Sequence, residues 1–344
     1  MYVERWGRRW PVVAGIPFLR RGREALADRA LAHLEAGDER GALIELLGDQ
    51  DDWWPFALPD QRGRARALET ASLRAAMDAL GYGPVGDYFA YRWSDPTFLS
   101  GLALLERHGE AHGSLFELGC GVGHFLRELH LRGVEVGGGD VVFSKLWLAR
   151  RFLVPEAHLV CFDARYPFPL QAGGYDVAFC HDALHYLPDK LLAVAELRRI
   201  ARCVLIGHAH NRLVANLSAG SPLAPAAYAE LLPGAVMYDD AELAGAAREA
   251  HAPRPGENLD CAAAIALAWP PEQRRGPSLT RARPRARLRL NPLLDPDSLE
   301  LRWPSERYRE EYEALSSHLR GVDRSAGEDE LYRRRVLLDL PEAW

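Results

Sequence analysis

Five short apolar runs, at 114–118, 134–139, 158–162, 176–180 and 202–207, alternate with segments whose apolar residues recur at helical spacing. That alternation constrains the fold more than any other feature, because strands separated by crossover helices pair in parallel, and each crossover returns right-handed to the same sheet. Phe143 to Leu153 and Asp189 to Arg199 are suited to two of the crossovers. The expected fold is α/β, a doubly wound Rossmann-like sheet.

The flanks differ in texture. Leu26, Ala30, Leu31 and Leu34, then Ala42, Leu43, Leu46 and Leu47 past Gly37 and Asp38, predict a helical hairpin over 22–48. After Gly207 come helix-like stretches at 224–232 and 240–250, an extended run at 261–269, and capping-box spacing at Ser325 and Glu328 for a helix through Leu337. Three regions are therefore expected: a mostly helical 1–110 that also covers a site, a core over 111–215, and an α+β extension over 216–344.

With 344 residues, 48% hydrophobic and 26% charged, the chain can bury a sizeable core, and a disordered scaffold is excluded. A net charge of −6 does not suit a chain devoted to gripping phosphate backbones. Cys261 to Trp269, the longest uninterrupted apolar run, is too short to span a bilayer, and the Arg-studded N-terminus lacks the apolar middle of a secretory signal. Cys120, Cys161, Cys180, Cys203 and Cys261 are dispersed singly, which fits a reduced compartment. A cytoplasmic location without membrane association is expected. Of the 42 basic residues only Lys145 and Lys190 are lysines, a bias that reads as a GC-rich bacterial genome.

The strongest chemical motif is Glu117-Leu118-Gly119-Cys120-Gly121-Val122-Gly123, where the first strand turns into a helix. Alternating glycines let a ligand approach the backbone, and the next helix presents free N–H groups and a positive dipole end. A nucleotide-like cofactor is implied, but His124 stands where the dinucleotide fingerprint needs its last glycine.

The stretch 114–211 resembles the class I S-adenosylmethionine-dependent methyltransferases, whose first motif is an acidic residue followed by alternating glycines; Glu117, Gly119, Gly121 and Gly123 fill it. The resemblance implies S-adenosylmethionine as cofactor. It also implies that Asp140, 19 residues after Gly121, receives the ribose hydroxyls, and that Phe162, Asp163 and Ala164 meet the adenine. The run from Tyr175 to His185 resembles the fourth-strand motif beside the methionine part of the cofactor, with His181 at its edge. Ahead of the core, Pro11 to Leu19 is similar to the closing strand of small zinc-ribbon activators of methyltransferases, although no cysteine precedes Cys120 to hold zinc.

Several features stay open at this level. Tyr88 or Arg92, in an aromatic stretch before the core, suits the methionine carboxylate. His181, His185, His208 and His210 cluster at the carboxyl ends of two strands. They read as a general base with His181 and His208 as candidates, as a metal site, or as structural residues, and no metal ligand is assigned. The pattern around Cys180 lacks the signatures of enzymes that methylate nucleic-acid bases. Seven arginines between 274 and 289 could track phosphates, yet alternation from Arg281 to Leu290 fits a charged edge strand better. The leading expectation is methyl transfer to a small molecule. The alternatives are an RNA or protein methyltransferase using the 274–289 segment, and a cofactor-binding module without catalysis. Oligomeric state has no signature here.

Overall fold

The structure is a computed structural model that describes residues 1–52, 57–216, 220–272, 274–321, 323 and 325–344. The chain opens with an antiparallel meander of β1 (Tyr2–Arg5), β2 (Arg8–Val13) and β3 (Ile16–Pro17). Phe18 then bridges in parallel to Cys161, which docks the meander on the edge of the main sheet. The expected hairpin follows as helices Glu24–Glu35 and Glu39–Leu46, and Asp38 caps the second by accepting from the Gly41 N–H at 2.7 Å.

The described residues form a seven-stranded sheet from β4 (Ser114–Leu118), β5 (Glu135–Asp140), β6 (His158–Cys161), β7 (Tyr175–His181), β8 (Ala201–His210), β9 (Val236–Asp239) and β10 (Ala264–Trp269). Their order is β6-β5-β4-β7-β8-β10-β9. The first five are parallel, and β10 runs antiparallel to both neighbours. The α/β, doubly wound expectation holds. The order reverses between β4 and β7, which opens a crevice at the carboxyl ends of those strands, where open sheets bind ligands.

Gly137, Gly138 and Gly139 lie inside β5 rather than in a turn, because neighbours occupy the room a side chain would need. A β-carbon at Gly139 would come within 2.3 Å of the Phe162 ring, and one at Gly137 within 2.6 Å of the Tyr175 hydroxyl. Helix Pro96–His108 packs against the sheet, started by Asp95, which accepts from the Thr97 N–H at 2.7 Å, with Pro96 in its first turn.

Two expectations change. From 281 to 290 only Arg289–Leu290 pair as a strand, against Leu337–Leu338; the rest is turn and loop, in which Arg283 reaches Asp339 at 2.6 Å. The last helix is Glu328–Arg333 with Gly327 at its cap, since the Ser325 hydroxyl bonds back to Asp323 at 2.8 Å. Among the described residues no helix is long and apolar enough to cross a membrane.

Candidate active site

The turn after β4 takes the left-handed backbone at each glycine, with φ of 71° at Gly119, 54° at Gly121 and 86° at Gly123. A β-carbon on Gly119 would lie 2.7 Å from that of Ala183, and one on Gly121 3.1 Å from the Phe89 ring. The turn is thus a bare backbone cradle that only glycine can build. Glu117, next to last in β4, lies beside it, buried, and among the described residues its Oε2 has no hydrogen-bond partner. Burial raises its carboxyl well above the usual range despite the nearby Arg92. A cradle without side chains next to an unpartnered acceptor fits a ligand that brings its own donors.

Asp140 ends β5 and faces that turn. Its two oxygens accept from the Gly121 N–H at 3.0 Å and the Val142 N–H at 2.9 Å, and the Lys145 ammonium stands 3.6 Å away. Lys145 also reaches Asp51 at 3.5 Å, so the N-terminal region closes this end of the crevice. Asp163 lies one strand further out, held by the Arg165 guanidinium at 2.6 Å. Phe162 is turned into the core against Phe168, with ring centres 5.1 Å apart, and Ala164 is buried beside it.

The cover is helix Pro84–Tyr91. Phe89 lies on Gly121, and the Trp344 indole donates to the Ala90 carbonyl at 2.7 Å, so the C-terminus pins the cover. His124, the residue that breaks the dinucleotide pattern, donates from Nε2 to the Phe89 carbonyl at 2.8 Å and packs its ring 4.4 Å from Trp93. Sequence reading had no signal for this tie, because its two ends are 35 residues apart.

Burial lowers His124 to about 3, against an ordinary value of 6.5, so it is neutral at pH 7. In acid the unfolded chain takes up a proton that the folded one refuses. The stabilising contribution is complete above pH 6.5 and is lost as pH falls toward 3. Between pH 7 and 5 the wild type is expected to lose about 2 kcal/mol more stability than His124→Gln. Denaturant melts of both proteins at each pH check this, and parallel curves would remove the tie from the account.

A second group of polar side chains meets at the ends of β7 and β8. Arg92 is buried, with its guanidinium 2.5 Å from Asp95, bonded to Thr97 and 3.5 Å from Asp182. The Tyr88 hydroxyl donates to Asp182 Oδ2 at 2.9 Å. Both residues proposed for the methionine carboxylate are therefore already engaged with carboxylates of the chain itself. Burial resists charge on Asp182, yet His208 and Arg92 hold it well below the usual carboxylate range.

His181, at the end of β7, is buried, and among the described residues neither ring nitrogen has a hydrogen-bond partner; it packs 4.8 Å from Phe125, and burial lowers it to about 3. His208 stacks 5.8 Å from His181. Burial works against its charge, but Asp240 at 2.9 Å from Nδ1 prevails and raises it to about 9. His185 and His210 stack with ring centres 4.2 Å apart. Asp95 and Asp240 were missed as site residues. The Asp-Pro start of a helix was legible at Asp95, whereas nothing near Asp240 in sequence points to His208.

Residues 116–203 match the family model of a methyltransferase domain. No curated protein sequence matches the chain. Among solved structures, the chain is similar to an S-adenosylmethionine-dependent methyltransferase from Thermotoga maritima, described as a possible histamine N-methyltransferase. The identity is 16% and the TM-score 0.37, over 54% of this chain and 94% of that one. It is also similar to geranyl diphosphate C-methyltransferase from Streptomyces coelicolor, at 14% identity and a TM-score of 0.37 over 49% and 73% of the two chains. A further similarity, at 22% identity and a TM-score of 0.31, is to an S-adenosylmethionine-dependent methyltransferase from Mesorhizobium loti, over 34% of this chain and 55% of that one.

Proposed function

We propose that the chain, whose residues 116–203 match a methyltransferase domain, is a class I S-adenosylmethionine-dependent enzyme that methylates a small molecule held at the carboxyl ends of β7 and β8. The observation that carries this reading is enclosure. The polar group beside the glycine turn is roofed by the chain's own segments, and the side chains of Asp182, His208 and His210 are only 17%, 16% and 14% exposed. Tyr308 of helix Glu306–Tyr312 donates to the Tyr91 carbonyl at 3.5 Å and so adds to the roof. A polymer needs an open groove instead, and part of the arginine run is spent on internal carboxylates, with Arg274 paired to Glu110 and Arg283 to Asp339.

Bound S-adenosylmethionine supplies an electrophilic methyl group on a sulfonium. The chain's residues bind and orient it: Gly119, Gly121 and Gly123 admit it to the backbone, Glu117 offers its Oε2, Asp140 takes the ribose, and Asp163 and Ala164 flank the adenine with Phe162 in the core behind them. His181 and His208 border the acceptor side. Displacement at a sulfonium depends chiefly on in-line alignment within about 3–3.5 Å, so a closed, preshaped site is the main contribution asked of the protein. On this reading 111–215 hold the cofactor, 1–110 cover it, and 216–344 complete the sheet and shape the acceptor side. The cytoplasm suits its unpaired cysteines.

The test is transfer of a tritiated methyl group from S-adenosylmethionine into a cell extract, followed by separation by size. Label in the small-molecule filtrate is expected. Label that follows RNA or protein instead would overturn the small acceptor while leaving the methyltransferase domain in place.

A further inference from the structure

The last residues of β8 and the residue after β7 bring two imidazoles and a carboxylate together with their ligating atoms all within 4.8 Å of one another: Asp182, His208 and His210. We propose that these three residues bind a divalent first-row transition-metal cation. Two nitrogens and one carboxylate oxygen, with further positions open, are a donor set suited to such ions. Ligands of a zinc-sized ion sit about 2.0–2.2 Å from it, so the three groups need to close by only about an ångström.

Asp182 and His208 are already oriented from behind. Asp182 Oδ2 accepts from Tyr88 at 2.9 Å and faces Arg92 at 3.5 Å, which leaves Oδ1 toward His210 Nε2 at 3.8 Å and His185 Nε2 at 4.0 Å. His208 is held through Nδ1 by Asp240 Oδ2 at 2.9 Å, which leaves Nε2 for the cation, and Asp240 Oδ1 in turn accepts from Ser100 at 2.8 Å. A carboxylate behind a ligating histidine fixes its tautomer and strengthens it as a donor.

Backbone geometry is an independent observation. Asp182 and His208 both take the left-handed region, at φ of 55° and 48°, where residues other than glycine are uncommon. Such conformations cost on the order of 1–3 kcal/mol each and persist where the surroundings impose them, as at ligand clamps. Here the Asp182 N–H donates to the Gly207 carbonyl at 3.0 Å, tying the residue after β7 to the end of β8.

The experiment is a titration of the chelator-stripped full chain with Co²⁺, followed by visible absorption. It needs no cofactor or acceptor, so it can fail or succeed whatever becomes of the methyl-transfer reading. One saturable equivalent is expected. Asp182→Asn and His210→Ala are each expected to weaken binding at least tenfold, and Asp240→Asn about 10- to 100-fold. His158→Ala, on an exposed histidine that opens β6, should bind like the wild type. Cooperative metal-free melts establish that each variant is folded, and Asp240→Asn, which preserves shape, decides the matter if His210→Ala does not fold. Absence of saturable binding by the wild type, or equal affinity in wild type and folded Asp240→Asn and Asp182→Asn, would overturn the site.

Discussion

Gly119→Ala is expected to weaken S-adenosylmethionine binding by about 30-fold or more, from two costs of comparable size. An L-residue in the left-handed region costs about 1–2 kcal/mol, and its β-carbon would stand 2.7 Å from that of Ala183, an overlap of the kind that costs about 1–3 kcal/mol. Neither atom is the end of a flexible side chain, so the turn itself must move, and with it the backbone on which the cofactor rests. Calorimetric titration with S-adenosylmethionine and its demethylated product reads the effect. Wild-type affinity in a folded Gly119→Ala protein would take this turn out of the cofactor site.

Asp140→Ala is the second large effect, and the structure makes it larger than the ribose argument alone requires. Two charge-assisted bonds to ribose hydroxyls, each about 1.5–3 kcal/mol, already imply at least a tenfold loss of affinity. The same carboxylate also accepts from the N–H groups of Gly121 and Val142, so its removal leaves two backbone donors unsatisfied and loosens the glycine turn. A lower melting temperature is expected together with the weaker binding. Asp140→Asn keeps an acceptor and the shape, and it should fall between the two in both measurements. A folded Asp140→Ala protein that binds the cofactor like the wild type would reject the ribose assignment.

The sheet was legible because parallel strands buried on both faces must be apolar runs, and because the helices between them carry their own period. The cradle was legible because a left-handed turn demands glycine, so Gly119, Gly121 and Gly123 state its conformation in their identity. Local caps such as Asp38 and Asp95 were readable for the same reason: each acts on the backbone two or three residues away.

Other features depend on partners far apart in the chain. His208 with Asp240, Tyr88 with Asp182, and His124 with the Phe89 carbonyl join residues separated by 32, 94 and 35 positions. Their side chains meet only because the sheet order sets β8 near β9 and the cover made before β4 lies over the ends of β4 and β7. The arginine segment shows the converse: its alternation suggested a strand, but Arg283 found Asp339, and a charge with a buried carboxylate in reach follows that partner rather than its local period. Sequence by itself determined the five parallel strands, the order of motifs and a nucleotide-like cofactor at the glycine turn, all set by local backbone chemistry. Tertiary structure alone decided which carboxylate faces which histidine, because that is a matter of where separate elements come to rest.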